Sequence, residues 1–273
     1  WSLLAGLLLA GCLFSSSSTP QRPRADDPPH VVIIMADQLR YDVLDSTLTP
    51  NLYRLRTEGA NFSRAYCASP LCAPSRGAFF TGLYPNQTGC LINPWEPKDK
   101  PYGLVRAGIP NLYGLLENRY DSWQTGKQHF YTAEGIDTLP NARTHWRSLD
   151  KSYGTYLKTA GKPQPGGPTY RADVPEQVGG RVTKRRAYSI PTTGVYEPGL
   201  DYFFDGYILN TSLRALRERD RSKPLLLNAM FLAPHPPLQI PEPYFSKIKS
   251  VRLPENVGRW SKHQSPLQLY NLT

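Results

Sequence analysis

The sequence is short of several things at once. Cysteine is scarce, with four in 273 residues, and acidic side chains are outnumbered, 22 Asp and Glu against 32 Lys and Arg. Beyond the N-terminal stretch no run approaches the roughly 20 apolar residues that a membrane-spanning helix needs. There is no internal repeat, which excludes a solenoid or propeller array. The formal net charge of +10 is not accompanied by any nucleic-acid-binding motif, so it is not read as DNA or RNA binding. Net charge speaks to partners and solubility, not to fold, and an anionic substrate or a solvated basic face accounts for it equally well. What is present is 40% hydrophobic and 20% charged residues, enough for a sizeable core and too apolar for a wholly disordered chain. The 27 prolines and 21 glycines point to long irregular loops.

The two ends differ from the rest. The chain opens on Trp1 rather than Met, so its true start is expected upstream. Residues 1–14 (WSLLAGLLLAGCLF) are too short an apolar run to span a bilayer and suit the core of a secretory signal. Leu9-Ala10-Gly11-Cys12 resembles the lipobox of bacterial lipoproteins. That resemblance implies cleavage before Cys12, a lipid on that cysteine as the only membrane attachment, and export to the periplasm or outer membrane. The alternative is an ordinary cleaved signal with Cys12 incidental. Residues 15–29 read as a tether, so 1–29 are assigned to signal segment and tether and 30–273 to a folded unit. The last ten residues, QSPLQLYNLT, read as the start of a helix that has been cut.

Val31–Ala36 (VVIIMA) suits a strand buried on both faces of a parallel sheet. Asp37 and Gln38 follow at its C-terminal end, where open α/β sheets bind ligands. Thr49 and Pro50 fit N-cap and N1 of a helix carrying Leu52 and Leu55 and stopping at Gly59. Residues 60–66 read as a second strand. Short helices are expected over 75–80, entered through Pro74 and closed near Gly82, and over 109–118, with Leu112, Leu115 and Leu116 on one side. Residues 122–125 read as a strand leading into Gly126, and 225–232 as a buried strand ending at Pro234-His235-Pro236. Residues 205–219 read as a helix with Ile208, Leu209, Leu213 and Leu216 on one stripe. Residues 146–200, rich in Gly, Pro, Tyr, Lys and Arg with little periodicity, read as a long surface excursion. The strand–helix alternation argues an α/β sheet.

The densest chemistry lies in Cys72-Ala73-Pro74-Ser75-Arg76, continued by Thr81-Gly82. Asp37 and Gln38 offer hard oxygen ligands of the kind Ca2+ or Mg2+ prefers. Lys127 and His129 stand two apart in Gly126-Lys127-Gln128-His129, so on an extended segment they face the same side. An imidazole titrates near neutral pH and suits a general base. His235 sits among prolines that stiffen a turn, whereas His30, His145 and His263 read as structural or surface imidazoles.

Taken in chain order, these landmarks resemble the sulfatase family. Cys72-Ala73-Pro74-Ser75-Arg76 with Thr81-Gly82 matches its active-site motif. Asp37-Gln38, Thr49-Pro50-Asn51-Leu52, Gly126-Lys127-Gln128-His129 and Ala233-Pro234-His235-Pro236-Pro237 match its other signposts. The resemblance runs from about residue 30 to the end of the chain. It implies an α/β fold, the alkaline-phosphatase-like sandwich with a central, mostly parallel sheet flanked by helices. The C-terminal part is expected to be missing, and 30–273 to be the N-terminal portion of the catalytic domain.

The resemblance also implies site roles. Cys72 would be oxidised to formylglycine by a formylglycine-generating enzyme. A hydrated aldehyde carries two hydroxyls on one carbon; one attacks sulfur, and deprotonation of the other expels sulfate, whereas Ser or Cys would end as a stable adduct. Asp37, Gln38 and the modified Cys72 would hold a divalent metal, Ca2+ first, with Mg2+ or Mn2+ as alternatives. Lys127 would face the sulfate oxygens, His129 would partner the formylglycine hydroxyl, His235 would protonate the leaving-group oxygen, and Arg76 would hold the formylglycine and metal ligands in place. Many members carry a second Asp where Gln38 stands, which lowers the negative charge by one. The remaining metal ligands and a later active-site Lys are expected beyond Thr273. Cys67 and Cys90 flank the motif and are free to pair in an oxidising compartment.

The expected activity is hydrolysis of a sulfate ester on a sulfated small molecule or polysaccharide. Lys184-Arg185-Arg186 in the excursion would rim the pocket toward a polyanion. Gln38 keeps a phosphonate monoester or phosphodiester hydrolase as a rival. A surface lipoprotein that binds sulfated glycans without cleaving them is the rival from another class.

Overall fold

A computed structural model describes residues 28–94, 100–139, 143–168, 170–178, 180–190 and 192–248. The Cys12 segment, most of the tether, His263 and the closing ten residues lie outside the described residues. Strands β1 (Val31–Ala36), β2 (Asp121–Gly126), β3 (His145–Ser148) and β7 (Leu225–Phe231) form a four-stranded sheet in the order β1-β7-β2-β3. Every pairing in it is parallel. The elements between are α1 (Pro50–Glu58), α2 (Cys72–Thr81), α3 (Pro85–Thr88), α4 (Lys100–Gly103), α5 (Leu112–Leu116) and α6 (Leu149–Thr159). There follow the antiparallel hairpin β4 (Arg171–Val178) and β5 (Arg181–Ser189), β6 (Thr193–Val195) and α7 (Phe204–Glu218). Beyond β7 come β8 (Leu238–Ile240), paired with β6, and α8 (Tyr244–Lys247). Among the described residues no helix is long and apolar enough to cross a membrane.

β7 is central because both of its faces are apolar: all but its last residue are buried. One face carries Met230 into a cluster with Ala73, Phe80, Tyr113 and Phe130 under α2 and α5, and Ile33 and Met35 of β1 pack against it. The other face puts Leu225 and Leu227 with Trp123 of β2 against Ala215 of α7. Helices thus flank the sheet on both sides. A second cluster, rich in tyrosine, joins Leu149, Tyr153 and Leu157 of α6 to Phe204 and Ile208 of α7 and to Tyr196.

Several expectations are corrected here. β1 is an edge strand whose Val32 and Ile34 are 51% and 63% exposed, so it is covered on one face and not two. Residues 60–66 form no strand, and Phe62 and Tyr66 stand in solvent. The helix expected over 109–118 is shortened to α5: Asn111 caps it by accepting from Tyr113 N and Gly114 N, and Tyr113, not Leu115, is buried. On α7 the buried stripe is Phe204, Ile208, Ser212 and Ala215, while Leu209, Leu213 and Leu216 are about 40% exposed. α1 runs as expected from Pro50, but Leu52 and Leu55 are exposed. Thr49 spends its hydroxyl on the carbonyls of Val43 and Asp45, not on a cap. The stretch 146–200 has regular structure: it completes β3 and holds α6, the hairpin and β6, and three α6 side chains enter the core. Cys67 and Cys90 are both free, the first exposed and the second buried, with Cys90 Sγ donating to Gly103 O.

Candidate active site

Four parallel strands end at the same edge of the sheet. The residues that follow those ends are Asp37 and Gln38 after β1, Lys127 to His129 after β2, Leu149 and Asp150 after β3, and Leu232 to His235 after β7. Parallel pairing is what brings residues far apart in sequence to one place. α2 arrives there with Cys72 as its first residue. Its N-cap, Leu71, has no side chain to offer the free N–H groups of the first turn. Asn93 does so from 20 residues away, accepting from Ala73 N at 2.9 Å. At the other end Thr81 bonds Gly77 O and Gly82 takes a left-handed φ of 71°, which stops the helix.

A cavity of about 570 Å³ opens at this edge. Gln38, Cys72, Asn93, Lys127, His129 and His235 line it, together with Asp150, Tyr153, Gln164, Tyr170 and Arg171 from α6 and the segment after it. Lys127 is buried, and its ammonium lies 3.7 Å from Cys72 Sγ while donating to Asp37 Oδ2. Arg76, also buried, bonds the carbonyl of Lys127 at 3.1 Å and approaches Asp37 Oδ2 at 3.9 Å. Ligand atoms of Asp37, Cys72 and His235 lie within 4.8 Å of one another. His235 is turned by a 2.7 Å contact from Nδ1 to the carbonyl of Pro236.

The electrostatics favour an anion. Two buried cations, Lys127 and Arg76, share the single carboxylate of Asp37, so positive charge is left over beside Cys72. Burial lowers the Arg76 pKa, with Asp37 acting the other way. Burial also pushes His129 well below its ordinary value, and Lys127 and Arg76 push in the same direction. His235 is lowered by burial and then by Lys127. Both imidazoles therefore favour the neutral form. Asp150, at the start of α6, has its carboxyl raised by desolvation against the pull of Lys127 and Arg171.

The residues proposed from sequence come together: Gln38, Cys72, Lys127, His129 and His235 line the cavity, and Asp37 and Arg76 join them through Lys127. One detail differs. His129 has φ of 41°, so the chain turns there and is not extended, yet it still lines the cavity with Lys127. His30 is structural as expected, accepting from Leu225 N, and His145 pairs with Asp121. Sequence reasoning passed over Asn93, Asp150 and Arg171. None belongs to a local pattern; each reaches the site through tertiary contact.

Comparison with known proteins gives the following. The family model described as Sulfatase matches residues 29–257. An arylsulfatase of Clostridium perfringens is 27% identical over 255 residues, covering 86% of this chain and 50% of that protein. Arylsulfatase J of Mus musculus is 29% identical over 251 residues, covering 85% of this chain and 37% of its own. The crystal structure of a phosphonate monoester hydrolase of Agrobacterium radiobacter aligns with a TM-score of 0.57 at 22% identity, covering 81% of this chain and 44% of that one; the likeness is one of fold. The chain spans about half the length, or less, of these curated relatives.

Proposed function

This chain belongs to the sulfatase family, and from that membership we propose that it hydrolyses a sulfate ester at residue 72. With formylglycine at position 72 and a divalent cation at Asp37 and Gln38, the site gains a nucleophile with its own exit route and a polariser of sulfate oxygens. The donors present suit part of such a cation's shell: a carboxylate and an amide carbonyl are hard oxygens, and Ca2+ takes about six to eight. The chain's own residues do the rest. Lys127 neutralises the sulfate oxygens, and Arg76 fixes Lys127 and Asp37 in place. His129, kept neutral by burial, takes a proton from the hydroxyl at residue 72. His235 gives one to the departing oxygen, its protonated form favoured once the anionic ester lies beside it. Positive charge fixed before the substrate arrives is the largest source of rate in such sites.

One observation carries the reading: Lys127 Nζ stands 3.7 Å from Cys72 Sγ, with Asp37 and His235 gathered at the same point. The substrate class is taken to be an exported-compartment sulfate ester, with sulfated carbohydrate favoured by the polar wall of Asp150, Gln164 and Arg171 and the cationic Lys184 on the hairpin. Residues 1–29 are taken as an export signal and tether with a lipid on Cys12, and residues 30–273 as part of the catalytic domain, of which 146–200 supplies one wall. Gln38 favours one second reading, a phosphonate monoester hydrolase. The test is release of sulfate from aryl sulfates by protein made from its full gene with a formylglycine-generating enzyme. Loss of release in Cys72→Ala and an aldehyde on the Cys72 peptide by mass spectrometry are expected. Dominant turnover of phosphonate monoesters would favour the second reading, and no release with the aldehyde in place would leave a glycan-binding protein.

A further inference from the structure

Asp205 is a desolvated carboxylate outside the cavity. It lies in the first turn of α7, between the buried Phe204 and Gly206. A Cβ on Gly206 would stand 1.8 Å from Leu200 O, so the backbone here is pinned against the preceding turn. The carboxylate reaches β7's exit. Oδ1 accepts from Leu232 N at 2.8 Å, and Ala233 N lies 3.3 Å from Oδ1 and 3.2 Å from Oδ2. The carbonyl of that same Leu232 accepts from His235 N at 3.0 Å. One side chain of α7 thus fixes both N–H groups that begin the turn, and the turn closes directly onto His235.

From this geometry we infer that Asp205 is a positioning residue that sets His235 against the leaving-group oxygen. The inference rests on the sulfatase reading above. Burial raises the Asp205 carboxyl to about 6 despite the two N–H bonds, so the side chain is held there at a cost in solvation. A charged acceptor bonds two N–H groups more strongly than a neutral one, and the helix N-terminus favours its negative charge. Two further contacts brace the same turn, Tyr170 Oη donating to Pro236 O and Leu238 N donating to Thr192 O, but neither touches its first two residues.

A proton donor matters most when the departing alcohol is a poor leaving group, so the test compares leaving groups. Aryl sulfates of acidic and weakly acidic phenols are turned over by the modified enzyme, made from its full gene, and by Asp205→Ala and Asp205→Asn. In Asp205→Ala kcat/KM should fall about 10- to 100-fold for the weakly acidic phenol and only a few-fold for the acidic one, part of the roughly 10²- to 10⁴-fold that general acids supply. Asp205→Asn, which keeps a carbonyl acceptor, should restore most of the loss. Should Asp205→Ala not fold, Asp205→Ser carries the comparison, because its hydroxyl cannot span both N–H groups. Equal losses on the two esters, or no rescue by Asn, would overturn the inference alone. A wild-type enzyme inert toward both esters would overturn the sulfatase reading and this inference with it.

Discussion

His129 is held at φ 41° and Gln38 at φ 62°, the left-handed region that non-glycine residues seldom occupy. Each such residue costs about 1–3 kcal/mol and survives where its surroundings over-determine it, as active sites do. His129 is also held neutral. Its pKa is lowered well below 6.5 by burial first, then by the cations Lys127 and Arg76. A base is lost when it is protonated, so its contribution should disappear only as pH falls through that lowered value. The acid limb of the kcat/KM profile should therefore lie below pH 6.5, while the other limb reports the proton donor His235, itself lowered by burial and Lys127. Lys127→Met should cut kcat by roughly 10²- to 10³-fold, the loss of one charge-stabilising donor. It should also move the acid limb upward, because the cation that depresses His129 most is gone. A wild-type acid limb at or above 6.5, or an acid limb that does not move in the variant, contradicts this assignment.

The elements that aim these side chains meet at close quarters. Gly126 ends β2 with φ of 82°, and a Cβ there would stand 2.1 Å from Met230 O of β7. Gly82, at the end of α2, has a similar φ of 71° with nothing within 4 Å of the same position. Gly82→Ala should therefore cost only left-handed strain, about 1–2 kcal/mol. Gly126→Ala adds a backbone clash that must part β2 from β7 and displace Lys127. At about 2–4 °C per kcal/mol, Gly82→Ala should lower the thermal midpoint by a few degrees, and Gly126→Ala by clearly more, with loss of activity. Equal shifts in the two melting curves would show that the clash is relieved at no cost. Elements of this kind were legible where local pattern and local chemistry agree. VVIIMA followed by Asp37, and LLLNAMF with His235 in the turn beyond it, announce strands with polar residues past their ends, although only the second is buried on both faces. α6 was not legible, because Leu149, Tyr153 and Leu157 recur at helical spacing among Gly, Ser, Thr and Lys that dilute the signal. Asn93 and Asp205 were invisible for a different reason. Each acts on a backbone N–H about 20 residues or more away, and no window of sequence contains both partners. Residues 60–66 misled because Phe62 and Tyr66, spaced among small and polar residues, resemble the outward and inward alternation of a strand whether or not a neighbouring strand is there to pair with it.

At the scale of the whole molecule, this chain leaves apolar sheet surface open. β1 pairs with β7 on one side only, and among the described residues nothing pairs with its other edge. Val32 and Ile34 point to the face that α7 covers over β7 and β2, yet they remain 51% and 63% exposed. The sequence VVIIMA has the character of a central strand, without the charges, proline or bulge with which natural edge strands deter pairing. Large aromatic and aliphatic side chains elsewhere on the surface, Phe62, Tyr66, Phe79 and Leu55, are also at least half exposed. A net charge of +10 opposes association between copies, but salt screens that repulsion over about 8–10 Å while the apolar edge acts at contact. Expressed alone, residues 28–273 should therefore self-associate with rising concentration, and more strongly in higher salt. Ile34→Lys places a charge on the open face while leaving Ile33 and Met35 in the core, so it should shift the chain toward monomer in light scattering at equal concentration. Ile33→Lys, aimed at the cluster under α2, should unfold the chain instead. If Ile34→Lys leaves the apparent mass unchanged, the association does not run through β1, and the open edge is not what limits this chain in solution.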